Sequence, residues 1–370
     1  MKKVGIITFH HAKHSYGAFL QAFATLHFLL RKGFEAELIN YDNKWEQKEI
    51  HFTKFFITNI KLVANWMVRM FLFGSIFDPC RSKKRLNTMY GRVSKKVNKN
   101  SIDKLDYDLV IAGSDQIWNP NITNGIDSNY FLAPFKCQRK IAYASSIGSY
   151  SFNQDEENII QKYLNEFELI GVREKYACET LANLTNTKVE NVCDPTFLFN
   201  KEEWIEYSKK YTKNTMPKKY ILTYFVGGNF DFYWDRIKDI VKKVGLPVYN
   251  IQSHRKKYKH VDGIITNILP FELISLIYNS ELVLTDSFHG TAFSINLEKD
   301  FVAVINKNNP IRVLDLLSKL NLEDRVDNGA NSVLEPIDYK VVSQKVNSMR
   351  SESGKWLLNA IDEKENYKNE

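Results

Sequence analysis

The short apolar run Leu282–Thr285 ends in Asp286-Ser287-Phe288-His289-Gly290-Thr291, and a helical pattern takes over at about Thr291. A histidine at such a junction, beside a glycine that lets backbone come close, is well placed to give or take a proton near neutral pH. A histidine satisfied inside the core is the plainer role. Other strand ends carry comparable groups. The run 107–112 leads into Gly113-Ser114-Asp115-Gln116-Ile117-Trp118-Asn119-Pro120, which brings out a hydroxyl, a carboxylate and an amide together. Trp118 offers a flat face of the kind sugars stack on. Asp115 is a candidate base, or else the cap of a turn. Arg173-Glu174 follows Leu169–Val172 and offers a planar cation for phosphate or carboxylate, unless the two only pair with each other. The first strand leads to His10-His11-Ala12-Lys13-His14-Ser15 ahead of a helix. That gathers positive charge where the helix dipole favours an anion. No carboxylate or thiol nearby completes a zinc set, and no metal is expected. Gly227-Gly228-Asn229 is a turn that could bring amides near an anion, but no GxGxxG follows a strand and no GxxxxGKS or GxxxxGKT occurs.

These groups sit where short apolar runs meet longer amphipathic ones, an alternation that marks βαβ units and a parallel sheet. Strands are expected at 3–9, 36–41, 107–112, 140–145, 169–172 and 189–194. A second series follows at 220–226, 247–251, 263–266, 282–285 and 301–305. The helix expected at 16–32 carries Phe19, Phe23, Leu26 and Leu30 on one face, with Ser15 as cap and Gly33 as stop. Further helical patterns fall at 232–244, 270–279, 291–297 and 311–320. The lysine-rich stretch 209–219, with Pro217, divides the two series. The expectation is two tandem Rossmann-like, doubly wound α/β domains, 1–208 and 209–370, facing a cleft at the carboxyl ends of both sheets. The first carries an insertion at about 52–104, and the second ends in a helical segment.

Hydrophobic residues make up 44% and charged residues 25%, which excludes a disordered or fibrous chain. The net charge of +8 resides in 81–104, whose nine basic residues face Asp103 alone. A nucleic-acid protein spreads positive charge over a binding face, so no nucleic-acid partner is expected. Cys80, Cys137, Cys178 and Cys193 form no CxxC pair and read as free thiols in a reducing cytoplasm. The apolar stretch 4–9 is too short for a signal peptide, and no run reaches the ~18 apolar residues of a membrane span. Residues 52–77 are nevertheless rich in large apolar side chains, among them Phe55, Phe56, Trp66, Met70 and Phe73, interrupted by Lys54, Lys61 and Arg69. With the basic segment beyond, this is the composition of an interfacial anchor on an anionic membrane surface. A helix packed on the first domain, or in a homo-oligomer interface, is the alternative.

Together the motifs resemble the polysaccharide pyruvyl transferase family, in order, from about residue 3 to 325. The matching segments in the first domain are Gly5-Ile6-Ile7-Thr8-Phe9-His10, Tyr16-Gly17-Ala18-Phe19-Leu20-Gln21-Ala22, residues 112–120, Ala142-Tyr143-Ala144-Ser145-Ser146-Ile147-Gly148, Val172-Arg173-Glu174 and Cys193-Asp194-Pro195-Thr196. The second domain adds residues 285–291 and Asn309-Pro310-Ile311-Arg312. The resemblance implies a fold similar to B-type glycosyltransferases. It also implies transfer of a pyruvyl group from phosphoenolpyruvate, as donor substrate and with no cofactor, onto two hydroxyls of a sugar. The acceptor would be a bacterial surface polysaccharide or its lipid-linked precursor, and the product a cyclic ketal.

By position, the resemblance assigns His289 and Arg173 to the donor. His289 would be the general acid, and Asp115 a base or hydroxyl ligand. Many members carry an arginine two residues before the histidine, where this chain has Ser287. Arg312, Lys13 or His14 must then supply the missing cation. His10, Ser114, Gln116, Trp118, Ser287 and Gly290 complete the expected substrate-binding set. Two rivals share the architecture. A nucleotide-sugar glycosyltransferase should show a nucleotide-binding segment in the second domain, and a non-catalytic glycan-binding relative would account for Ser287. The expected location is the cytoplasm, with the 52–104 insertion peripheral on the inner face of the plasma membrane.

Overall fold

The computed structural model describes residues 2–10, 15–41, 83–99, 101–137, 139–211, 219–227, 230–252, 256–305, 310–327 and 335–362. Lys13 and His14 lie outside them, as does the apolar half of the expected anchor. The first unit runs β1 (Lys3–Ile7), α1 (Tyr16–Arg31), β2 (Glu35–Leu38), α2 (Lys83–Tyr90), β3 (Leu109–Ala112), α3 (Pro120–Thr123), β4 (Arg139–Ser145), α4 (Gln154–Leu164), β5 (Leu169–Val172), α5 (Lys175–Ala182) and β6 (Val189–Asn191). Its strands form one six-stranded sheet in the order β2-β1-β3-β4-β5-β6, parallel throughout. After α6 (Lys201–Lys209) come β7 (Ile221–Tyr224), α7 (Phe230–Val244), β8 (Val248–Ile251), β9 (Gly263–Ile265), α8 (Pro270–Asn279), β10 (Leu282–Thr285), α9 (Phe288–Asn296), β11 (Phe301–Ala303) and α10 (Ile311–Leu320). These five strands form a second parallel sheet in the order β11-β10-β7-β8-β9.

The central strands are apolar on both faces because helices cover both sides of each sheet: every residue of β3, β5, β7 and β10 is buried. Strand order reverses between β1 and β3 in one sheet and between β7 and β10 in the other, which opens a crevice at each carboxyl edge. The two units also share an apolar core. Phe19 and Phe23 of α1 meet Phe271 of α8 edge to face, at 5.7 and 4.8 Å between ring centres. Trp204 of α6 meets Phe293 of α9 at 5.2 Å.

Two expectations need correction. Helix α9 starts at Phe288, not Thr291, because the Ser287 hydroxyl accepts from the Gly290 amide and caps it. The last helix, α11 (Tyr339–Asp362), does not stay with the second unit as the 209–370 division expects. It crosses back onto the first sheet, where the Cys193 amide donates to Ser353 Oγ (2.9 Å) and Trp356 Nε1 donates to Glu190 (2.8 Å). The physical reason lies at Gly171 in β5, where a β-carbon would stand 2.9 Å from the Trp356 ring. The bare glycine is the seat of the indole. Cys137, Cys178 and Cys193 are free thiols. No helix among the described residues is long and apolar enough to cross a membrane.

Candidate active site

Past β6 the chain turns through Cys193-Asp194-Pro195-Thr196 into a short 3-10 turn. The Asp194 carboxylate divides its work there. Oδ1 accepts from the Thr196 amide (3.0 Å) and hydroxyl (2.7 Å), which fixes the turn. Oδ2 faces the cleft and accepts from Arg173 Nη1 at 2.7 Å and from Ser114 Oγ at 3.2 Å. Arg173, at the end of β5, also donates through Nε to Glu174 Oε1 (2.9 Å), which takes a second bond from Ser146 Oγ (2.8 Å). All six side chains are buried.

His289 enters this cluster from the other unit. It sits in the first turn of α9, with its Nε2 3.7 Å from Asp194 Oδ2. Its ring lies against Gly17 in the first turn of α1, so closely that a β-carbon there would fall 2.6 Å from Cε1 and nearer still to Nδ1 and Cγ. Phe288 next to it lies under two guanidiniums, Arg173 at 4.4 Å and Arg312 of α10 at 5.8 Å. Arg173, Asp194, Phe288 and Arg312 border a cavity of about 10 Å³, space for about one water.

The charges bias one another. Burial pushes the His289 imidazole below its usual value; Asp194 and Asp115 oppose the shift, and the two arginines reinforce it. Burial pushes the Asp194 carboxyl up, but His289, Arg173 and the Thr196 amide more than reverse this. Burial would lower Arg173, yet Glu174, Asp194 and Asp115 hold it above its usual value. Arg312 falls, first through burial and then through the Arg173 charge. Arg173 Nη2, Glu174 Oε2, His289 Nε2 and Arg312 Nε are buried without a hydrogen-bond partner. Buried polar atoms are ordinarily satisfied, and each one left bare costs about 1–3 kcal/mol. Here they sit on one cluster, at the meeting of the two sheet edges.

The expected residues divide into three groups. Arg173, His289 and Arg312 come together as described, and the charge of Asp115 acts on all three. Asp115 holds φ at +73°, a left-handed conformation costing about 1–3 kcal/mol that aspartate tolerates better than most residues. Its carbonyl accepts from the Ser146 amide (3.1 Å) and its Oδ1 from the Gln116 amide (2.9 Å). Ser114 orients Asp194 rather than facing a substrate. Several expected contacts are structural instead. Trp118 is buried, stacked on Phe131 at 5.1 Å and edged by Phe167, with Nε1 donating to the Tyr130 carbonyl, so no face is open to a sugar. Ser287 spends its hydroxyl on the helix cap. Gly290 is there because a β-carbon would collide with Thr285 Oγ1. Gln116 Oε1 accepts from Asn119 Nδ2 (2.9 Å). His10 is enclosed beneath Tyr90, its Nδ1 donating to the Thr8 carbonyl at 2.9 Å. The Gly227 amide is committed to Asp286 (2.8 Å).

Sequence reasoning missed Asp194 as a site residue. Its signal was there, a carboxylate in the turn that follows the strand ending at Asn191. Gly17 gave a weaker one, as a glycine inside a helix that has no turn to make. Among the described residues no group of three or more His, Cys, Asp and Glu side chains is gathered as a metal site.

The sequence model of polysaccharide pyruvyl transferases matches residues 16–308 of the chain. No curated protein matches it in sequence. Solved structures of low identity share the backbone along nearly its whole length. The S. aureus MnaA–UDP complex is 13% identical, with 99% of each chain covered and a TM-score of 0.50. The Methanocaldococcus jannaschii UDP-GlcNAc 2-epimerase in complex with UDP-GlcNAc and UDP is 13% identical, with 97% of this chain and 99% of that one covered and a TM-score of 0.50. The Neisseria meningitidis UDP-GlcNAc 2-epimerase bound to UDP-GlcNAc is 9% identical, with 98% and 99% covered and a TM-score of 0.51. These likenesses identify the fold as the paired α/β architecture of B-type glycosyltransferases and their relatives.

Proposed function

Because this chain belongs to the polysaccharide pyruvyl transferase family, we propose that it moves a pyruvyl group from phosphoenolpyruvate onto two hydroxyls of a glycan, closing a cyclic ketal. The observation that carries this reading is the set of unspent buried nitrogens, Arg173 Nη2, Arg312 Nε and His289 Nε2, on one cluster at the carboxyl edges of two sheets. Phosphoenolpyruvate presents a phosphate and a carboxylate, and fixed guanidinium donors suit both. Arg312 takes over from the arginine that many members carry where Ser287 stands.

In the proposed reaction His289 gives the Nε2 proton to the methylene carbon of the donor. The double bond is consumed, and one sugar hydroxyl attacks the carbon that bears the phosphate. The second hydroxyl attacks the same carbon as its bond to phosphate oxygen breaks. Asp115 accepts the proton of one hydroxyl and passes it to solvent, and the departing phosphate carries away the proton of the other. A positioned acid of this kind contributes about 10²- to 10⁴-fold in rate.

The test is incubation with phosphoenolpyruvate and a panel of bacterial surface glycans, following phosphate release and pyruvate fixed on the glycan. His289→Ala should slow release by about 10²-fold or more even at saturating phosphoenolpyruvate, with donor binding weakened near neutral pH but not lost. Thermal shift supplies the contrast, since a ligand at 100 times its Kd stabilises by about 2.7 kcal/mol. Stabilisation by a nucleotide sugar and none by phosphoenolpyruvate would overturn the proposal in favour of a glycosyltransferase.

A further inference from the structure

The buried cluster carries an uneven set of charges. Arg173 and Arg312 stand against Asp194, Glu174 and Asp115, two guanidiniums to three carboxylates, so a neutral His289 leaves one net negative charge among the described side chains. The described elements packed on the imidazole contribute to this sum: Asp194 from the β6 turn, Arg173 from β5, Asp115 from β3 and Arg312 from α10, while α1 presents the bare Gly17. Two of the three Arg173 nitrogens are already committed, to Glu174 and Asp194. An anionic donor entering here needs more positive charge than the guanidiniums supply. Among the described side chains His289 is the group able to provide it: its Nε2 is buried without a hydrogen-bond partner, and Asp194 Oδ2 at 3.7 Å can hold an added proton.

We propose that donor binding loads a proton onto His289, so that the general acid is charged only while the donor is in place, with Asp194 as the positioning residue that retains the imidazolium. The inference rests on phosphoenolpyruvate being the donor. The proton enters from solvent, sits on Nε2 and passes to the methylene carbon. Of the two hydroxyl protons then released, one leaves with phosphate and one returns to solvent. In the empty cleft burial keeps the imidazole low, and the bound anion raises it. Between those two values the donor Kd should rise about tenfold for each pH unit.

Isothermal titration of the intact protein with phosphoenolpyruvate, in amine buffers of different ionisation enthalpy, counts the protons taken up. Near neutral pH the wild type should take up as much as about one proton more than His289→Gln. Its Kd should weaken as pH rises from about 7, above the donor's own second phosphate ionisation, which lies near 6, and level off once the bound imidazole also loses its proton, while the variant stays flat. Equal uptake in both proteins would overturn the inference and leave the donor reading standing. No binding to the wild type would overturn both. If circular dichroism shows that His289→Gln does not fold, the wild-type series decides alone: a flat Kd over that range overturns the proposal.

Discussion

Replacing Gly17 with alanine tests whether His289 is held from across the cleft. The position lies in the first turn of α1, where alanine is favoured over glycine by about 1 kcal/mol, so the helix itself loses nothing. The new methyl must be accommodated against His289. The gap to Cε1 has to open from 2.6 Å to the 3.4 Å of ordinary contact, a retreat of about 0.8 Å at that atom and more at Nδ1. The imidazole has little room, with Phe288 beside it and Asp194 behind. A misplacement of about 1 Å can cost about 10²-fold in rate, within the 10²- to 10⁴-fold that a positioned acid provides. Phosphate release from phosphoenolpyruvate, in the presence of an acceptor from the glycan panel, should therefore fall about 100-fold in kcat. The Tm should stay within a few degrees of wild type. Wild-type kcat in Gly17→Ala would refute the reasoning, since the ring would have moved without consequence. A collapse of Tm with activity would refute it too, by showing that the shared core and not the histidine absorbs the clash.

Arg312→Ala should weaken phosphoenolpyruvate binding about 10- to 100-fold by calorimetry, the worth of one charge-assisted hydrogen bond, with Arg312→Lys recovering little because it lacks the guanidinium fork. Asp194→Asn should cost about 3–5 kcal/mol in chemical denaturation, because it uncouples a buried Arg173. The Asp194 carboxyl is held below its usual value in the folded protein. The stability it contributes is therefore complete above pH about 4 and is lost as pH falls through the folded value. Asp194→Asn should accordingly unfold with a shallower acid dependence than wild type. Trp118→Ala should destabilise by about 3–5 kcal/mol, while Trp118→Phe keeps turnover. Loss of turnover in Trp118→Phe at unchanged Tm would place the indole back at the substrate.

The strands were legible because each is a short apolar run that only a doubly covered sheet can bury. The polar helices were not. Gln154–Leu164 and Lys201–Lys209 carry few apolar residues, although each opens with a capping box, Asn153 with Glu156 and Asn200 with Glu203, that a search for caps would find. Arg173 and His289 were readable as groups at strand ends. Their partnership through Asp194 was not, since it joins turns 21 and 95 residues apart on different sheets. Trp118 misled for a related reason: an aromatic residue after a strand does not reveal whether Phe131 will close over it. The destination of α11 was equally hidden. Its periodicity says that one face is covered, but not by which sheet.

The return of α11 has a consequence for how the molecule is made. Residues 339–362 leave the ribosome after all eleven described strands, yet they complete the unit that was synthesised first. Until they arrive, the hollow at Gly171 has no indole, Glu190 lacks its Trp356 bond and the Cys193 amide lacks Ser353. Domains generally mature from the amino terminus as the chain emerges. This one must wait, and the part that waits is the segment just before Asp194. The nascent protein therefore carries an uncovered first sheet and an unanchored cleft until residues 339–362 have emerged, so the candidate site is completed by a helix made after both sheets.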